Sequence, residues 1–239
     1  MSMHTPSFPT ASHASDAPVR LTAVSGGMGE PSLTTRLSTR LHDAARRELE
    51  AHGLDVETAQ VPLRPLATAV AQAHLGTVRE PHLDRALDTV LAADALVVVA
   101  PTYKASMAGM SRAFWELVED GALRGVPVLL AATGGTARHS LVLDTSLRPL
   151  FAQLGATALP RGVFAATDDW GGGPAAADGA GALDVRIAGA GADLAHAVLR
   201  ERAAPRPPEA SVRLPTADMP TAQAPSPTET PFAAILGRP

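Results

Sequence analysis

The sequence predicts an α/β fold, a doubly wound parallel sheet of about five strands with helices on both faces. Short apolar runs alternate with helical spacing between residues 19 and 202, giving the string βαβαβαβαβα. The central run, ALVVVA from Ala95 to Ala100, is β-branched and has no polar face, as a strand covered on both sides reads. Three strands end in loops rich in Gly, Ser and Thr, and sheets of this kind bind ligands at the carboxyl ends of their strands.

The elements follow in order. Leu21 to Val24 is the first strand, and Leu33, Leu37, Leu41, Ala44, Ala45 and Leu49 make one face of an amphipathic helix. Leu54 to Val61 alternates as a second strand. Pro81 to Ala92 is a helix feeding the central run, which stops at Pro101 because proline cannot extend the ladder. Ser106 to Val118 is the next helix, Val126 to Ala132 a strand, His139 to Leu154 helical, Ala156 to Ala166 a broken strand, and Leu183 to Arg200 the closing helix. Trp170 to Gly181, nearly all Gly and Ala, reads as a flexible connection. Residues 1–18 and 203–239, rich in Pro, Ala, Ser and Thr without periodicity, read as disordered tails around one domain over 19–202.

Composition narrows the function. At 239 residues and 46% hydrophobic, the chain can bury one sizeable core. Its 24 acidic and 20 basic residues are mixed, so no basic stripe suits nucleic acid. There is no cysteine, hence no disulfide or thiolate chemistry, and the eight histidines show no metal-ligand spacing. No run reaches the roughly 20 apolar residues of a membrane span and no secretory leader is legible, so a cytoplasmic protein is expected.

The chemistry is expected in the three loops. After strand one comes SGGMGEPSLTTRL, where Ser32, Thr34 and Thr35 sit at the mouth of a helix whose free N–H groups favour an anion, and Arg36 adds a charged donor. A terminal phosphate fits there; so does a plain cap by Ser32 with Arg36 in solvent. After strand three, Pro101, Thr102, Tyr103, Lys104 and Ser106 offer hydroxyl, phenol and ammonium groups. After strand four, Thr133, Gly134 and Gly135 let backbone donors approach a ring edge closely, or simply turn the chain, and His139 can reach a ring carbonyl or cap a helix. In a flavodoxin-like strand order of 2-1-3-4-5 these loops converge on one crevice. A dinucleotide fold competes, since Gly27 and Gly29 begin a GxGxxG pattern and Glu57 stands at the second strand. The third glycine is replaced by Ser32, which favours a mononucleotide.

Together VSGG, PSLTTRL, ADALVVVAPTYKASMAG, LRGVPVLLAATGGTARHSL, RPLF and VFAATDDW resemble the NADPH-dependent FMN reductases, flavodoxin-like proteins, over about residues 20–170. They are most similar to reductases partnered with luciferase-like, flavin-dependent monooxygenases. The resemblance implies the FMN phosphate at Ser25, Ser32, Thr34, Thr35 and Arg36, the flavin along Pro101 to Lys104 and Ser106, and its far edge at Thr133, Gly134, Gly135 and His139. It implies FMN with NADPH or NADH, hydride transfer carried by the cofactors without a catalytic side chain, and a homodimer or homotetramer. Met107 departs from the family's usual residue after this loop, and Arg112 stands where many relatives have lysine. With aromatics at 3%, one tyrosine and two tryptophans, little material is available to sandwich a permanent flavin. A reductase releasing reduced FMN is therefore expected, ahead of a flavin-fixed quinone or chromate oxidoreductase, a flavodoxin-like electron carrier or a Rossmann dehydrogenase. Asp168, Asp169 and Trp170 could reach the flavin or a neighbouring subunit, or form an exposed turn. The apolar PFAAIL at residues 231–236 reads as part of the disordered end or as a docking segment.

Overall fold

A computed structural model describes residues 17–76, 80–171 and 176–203. Its strands are β1 (Val19–Ser25), β2 (Val56–Pro62), β3 (Ala95–Tyr103), β4 (Ser106–Met107), β5 (Pro127–Gly134), β6 (Thr157–Ala158) and β7 (Val163–Ala166). The sheet runs β2-β1-β3-β5-β6, with β7 also beside β5, and every pairing is parallel except that of β4 with β3. This is the expected 2-1-3-4-5 order with β5 in fourth place and β6 and β7 sharing the fifth.

Seven strands stand where about five were expected, for two local reasons. Between β6 and β7 lie Pro160, which has no amide to donate, and Gly162, where a Cβ would meet the Leu130 carbonyl oxygen at 2.7 Å. The fifth strand is therefore interrupted. The other extra strand, β4, is a two-residue return on the end of β3.

The sheet carries two apolar layers because the pleat sends alternate residues to opposite faces. Leu96, Val98 and Ala100 of β3 enter one cluster, and Ala95, Val97 and Val99 enter the other. Helices α1 (Leu33–Ala51) and α6 (Ala176–Ala203) cover the second cluster. There α1 buries Leu37, Leu41, Ala44, Ala45 and Leu49. Gly191 of α6 permits close approach, since a Cβ there would lie 2.8 Å from the Ala44 carbonyl carbon. On the other face α2 (Ala67–His74), α3 (Pro81–Leu91), α4 (Gly109–Trp115) and α5 (Arg148–Gln153) enclose Trp115, whose ring meets Phe114 at 5.3 Å and Phe151 at 4.7 Å, edge to face.

Several elements depart from the sequence reading. The helix expected over Ser106 to Val118 begins only at Gly109, because Ser106 and Met107 pair with Tyr103 and Thr102. Residues 176–181, expected to be flexible, are the first turns of α6. The helical stretch His139 to Leu154 is a 3-10 turn (Ala137–His139), a π turn (Leu143–Leu147) and α5. In the π turn the Arg148 amide donates to the Leu143 carbonyl, five residues back, and Pro149 has no amide with which to restore the α ladder. The 3-10 turn Arg64–Leu66 and α2 were not legible as elements. The tails, apart from residues 17, 18 and 203, and the PFAAIL segment lie outside the described residues.

Candidate active site

Because β1, β3 and β5 are neighbours, the three loops leaving their carboxyl ends meet at one end of the sheet. They line a single cleft of about 270 Å³. Of the residues singled out in the sequence, Ser32, Thr34, Pro101, Thr102, Tyr103, Thr133, Gly134 and Gly135 line it. Gly27, Met28, Gly29, Pro31, Leu33, Ala165 and Thr167 join them. Thr167 follows the interrupted fifth strand, so no periodicity announced it.

The mouth of α1 is built by capping. Ser32 is extended (φ −115, ψ 116) and its Oγ accepts the Thr35 amide at 3.1 Å, while its carbonyl accepts the Arg36 amide at 3.0 Å. The amides of Leu33 and Thr34 donate to no acceptor among the described residues, and the first turn carries no acidic side chain. The positive end of the helix is thus open to an anion. Gly27 folds over this cap, for a Cβ there would lie 2.1 Å from the Ser32 Oγ. Hydroxyl pairs tie the mouth to the sheet: Thr34 Oγ1 to Thr133 Oγ1 at 2.7 Å, and Ser25 Oγ to Thr35 Oγ1 at 3.0 Å.

The second loop is a tight hairpin. The Ala108 amide donates to the Pro101 carbonyl at 3.0 Å, and Lys104 (φ 52) and Ala105 (φ 60) are both left-handed, the geometry of a type I′ turn. Thr102 is 9% exposed, and its Oγ1 has no hydrogen-bond partner. A buried orphan hydroxyl costs about 1–3 kcal/mol, so a ligand group that satisfies it gains affinity. In the third loop a Cβ on Gly134 would come 2.8 Å from Phe164 Cζ, whereas one on Gly135 would meet open space.

Six predicted residues stand outside the lining: Ser25 and Thr35, which pair with each other, and Arg36, Lys104, Ser106 and His139. Arg36 lies over the Trp170 ring at 5.1 Å, with Arg40 over the same ring at 5.9 Å. Burial, and after it the Arg36 guanidinium, holds Arg40 below the usual arginine range. Ser106 Oγ pairs with Ser146 Oγ at 3.3 Å, His139 lies on the 3-10 turn after the third loop, and Lys104 occupies the hairpin tip. Beside Trp170, Asp169 caps the end of β7 by accepting the Ala166 amide at 2.8 Å and pairs with Arg186. Met107 is buried in the core, and Arg112 forms a 2.8 Å pair with Glu116. Among the described residues no charged side chain lines the cleft, and no group of three or more His, Asp or Glu is placed to hold a metal. No described helix is long and apolar enough to cross a membrane.

Strand order decides against a dinucleotide fold. Glu57 pairs in register with Arg20 near the start of β1, at the sheet end opposite Ser25 and the cleft. A profile of the NADPH-dependent FMN reductases matches residues 19–171.

The chain belongs to the NADPH-dependent FMN reductase family.

An NADH-dependent FMN reductase SfnF of Pseudomonas fluorescens is 39% identical over 157 residues, covering 64% of this chain and 79% of the relative. An FMN reductase (NADPH) of Pseudomonas aeruginosa is 38% identical over 154 residues, 64% of this chain and 80% of the relative. Among solved structures, an oxidoreductase from Corynebacterium diphtheriae superposes with a TM-score of 0.70 at 35% identity, over 77% of this chain and 98% of that one. The apo form of an NADH:FMN oxidoreductase, EmoB, gives 0.58 at 26% identity, over 80% and 92%.

As an FMN reductase the protein uses FMN with a reduced nicotinamide nucleotide. Its own residues fit the flavin: free amides at a helix mouth for a phosphate, an orphan hydroxyl on Thr102, and a third loop kept low by Gly134 and Gly135.

Proposed function

We propose that this reductase binds FMN in the three-loop cleft, loosely enough to release it reduced to a flavin-dependent monooxygenase in the cytoplasm. The balanced reaction is NAD(P)H plus H⁺ plus FMN giving NAD(P)⁺ plus FMNH₂. Held there, FMN would supply the redox chemistry as the acceptor of a hydride from the reduced nicotinamide. The protein's residues position and polarise. The phosphate is assigned to Ser32 Oγ and the amides of Leu33 and Thr34, with Ser25 and Thr35 bracing that turn. The ring is assigned to the Pro101–Tyr103 edge, and its pyrimidine side to Thr133, Gly134 and Gly135, with His139 on the following turn. Arg36 supplies long-range positive charge from its Trp170 stack, and Ser106 holds the hairpin through Ser146.

The observation that carries this reading is an uncharged cleft built on an uncompensated helix mouth. Neutral donors bind an anion without contributing an acid or base, as suits a reaction whose bond changes belong to the cofactors. Loose binding is supported by the aromatic supply: Tyr103 is the one aromatic in the lining, 56% exposed, while Trp115, Phe114 and Phe151 are committed to the core. We extend the proposal to a homodimer or homotetramer, measurable by light scattering.

The test is NADH and NADPH oxidation with and without added FMN. Saturable, FMN-dependent turnover is expected from protein that loses its colour on gel filtration. Absence of turnover overturns the reductase, and a stoichiometric yellow colour surviving gel filtration overturns release in favour of a fixed flavin.

A further inference from the structure

Lys104 is the only lysine in the chain; the other 19 basic residues are arginines. It follows Tyr103, the only tyrosine, at the tip of the β3–β4 hairpin. Two non-glycine residues with positive φ, Lys104 and Ala105, make that tip. Such backbone persists only where neighbours over-determine it, and strain of this kind concentrates at ligand clamps. Here Ser146 Oγ holds both the Ser106 Oγ and the Met107 amide at 3.3 Å, and the Pro101 carbonyl holds the Ala108 amide.

The turn separates the two side chains. Tyr103 lines the cleft and Lys104 does not, so the ammonium stands at the rim, exposed and without an ion pair among the described residues. A rim cation does little for the phosphate of a ligand already seated at the α1 mouth. It suits the phosphates of a second ligand that docks over the first. The ammonium is also the right group there: a compact point charge with three rotatable donors can follow a pyrophosphate between orientations, whereas a planar guanidinium demands a fixed fork.

Building on the FMN reductase reading, we propose that Lys104 anchors a phosphate of the reduced nicotinamide nucleotide where it docks over the cleft. The pyrophosphate common to NADH and NADPH and the 2′-phosphate of NADPH share this chemistry, and the two donors separate them.

Two measurements on the full-length protein test it. Labelling by trinitrobenzenesulfonate, followed by mass spectrometry at Lys104, needs no turnover. Slowing by both NADH and NADPH supports the proposal with the pyrophosphate as ligand, and slowing by NADPH alone supports it with the 2′-phosphate. Slowing by FMN alone, or by nothing, overturns it. In steady state, Lys104→Ala is expected to raise the nucleotide KM about five- to tenfold, with the FMN dissociation constant within twofold of the parent. Lys104→Arg recovers part of the loss, and raising salt erases much of the difference between parent and Lys104→Ala. An unchanged nucleotide KM, or a parallel loss of FMN affinity, overturns the proposal. If the parent protein oxidises no nucleotide yet NADH shields Lys104, the reductase reading fails while the anchor stands.

Discussion

Ser32 ends one element and opens the site with the same atoms. Its Oγ closes the α1 cap on the Thr35 amide, and the two amides it leaves free are those an anion can reach. Ser32→Ala should therefore cost about 1 kcal/mol in urea unfolding and weaken FMN more than riboflavin, which has no phosphate. Equal losses for the two flavins would move the phosphate elsewhere. The paired glycines of the third loop make a sharper contrast. Gly134→Ala forces a methyl against Phe164 and should cost about 1–3 kcal/mol, whereas Gly135→Ala enters open space and should stay within about 0.5 kcal/mol; thermal melts of the two variants decide. At this scale the sequence shows hydroxyls and glycines well, because capping and close approach are local. Arg36 was harder to place, since nothing near it in the chain says that Trp170 will take its guanidinium.

The hairpin after β3 shows where element-scale reading falters. Type I′ turns favour Asn and Gly, and YKAS contains neither, so the helical spacing of the following residues extended the expected helix back to Ser106. The turn exists because Ser146, on a π turn, pins it from outside. Ala105→Val places a β-branched residue at φ 60 and should destabilise by about 1–2 kcal/mol. The same change should loosen FMN, because the strained turn and the Thr102 hydroxyl share one short ribbon. Chemical unfolding and a flavin titration on the same sample check both, and unaltered stability would mean that the turn carries no strain. Strands β3 and β5 were legible to within a few residues because each is apolar on both faces, and β1 because Val19, Leu21 and Ala23 fill one face and Val24 is buried on the other. The fifth strand was legible only as broken, and α2 was hidden by an alanine-rich stretch without marked periodicity.

At the scale of the molecule, the parallel order brings three loops to one end while two apolar layers keep the sheet rigid beneath them. Trp115 sits within one layer against Phe114 and Phe151, far in role from any ligand. Trp115→Ala should cost about 3–5 kcal/mol, lowering Tm without changing the flavin specificity of the molecules that remain folded. A specificity change in folded protein would contradict the separation of core from cleft. A cleft that takes a phosphorylated flavin must tell FMN from riboflavin, and a parallel fluorescence titration with the two measures that difference. The open helix mouth predicts that FMN binds at least about tenfold more tightly than riboflavin, with the gap narrowing in Ser32→Ala. Equal affinity for the two flavins in the parent protein would contradict it.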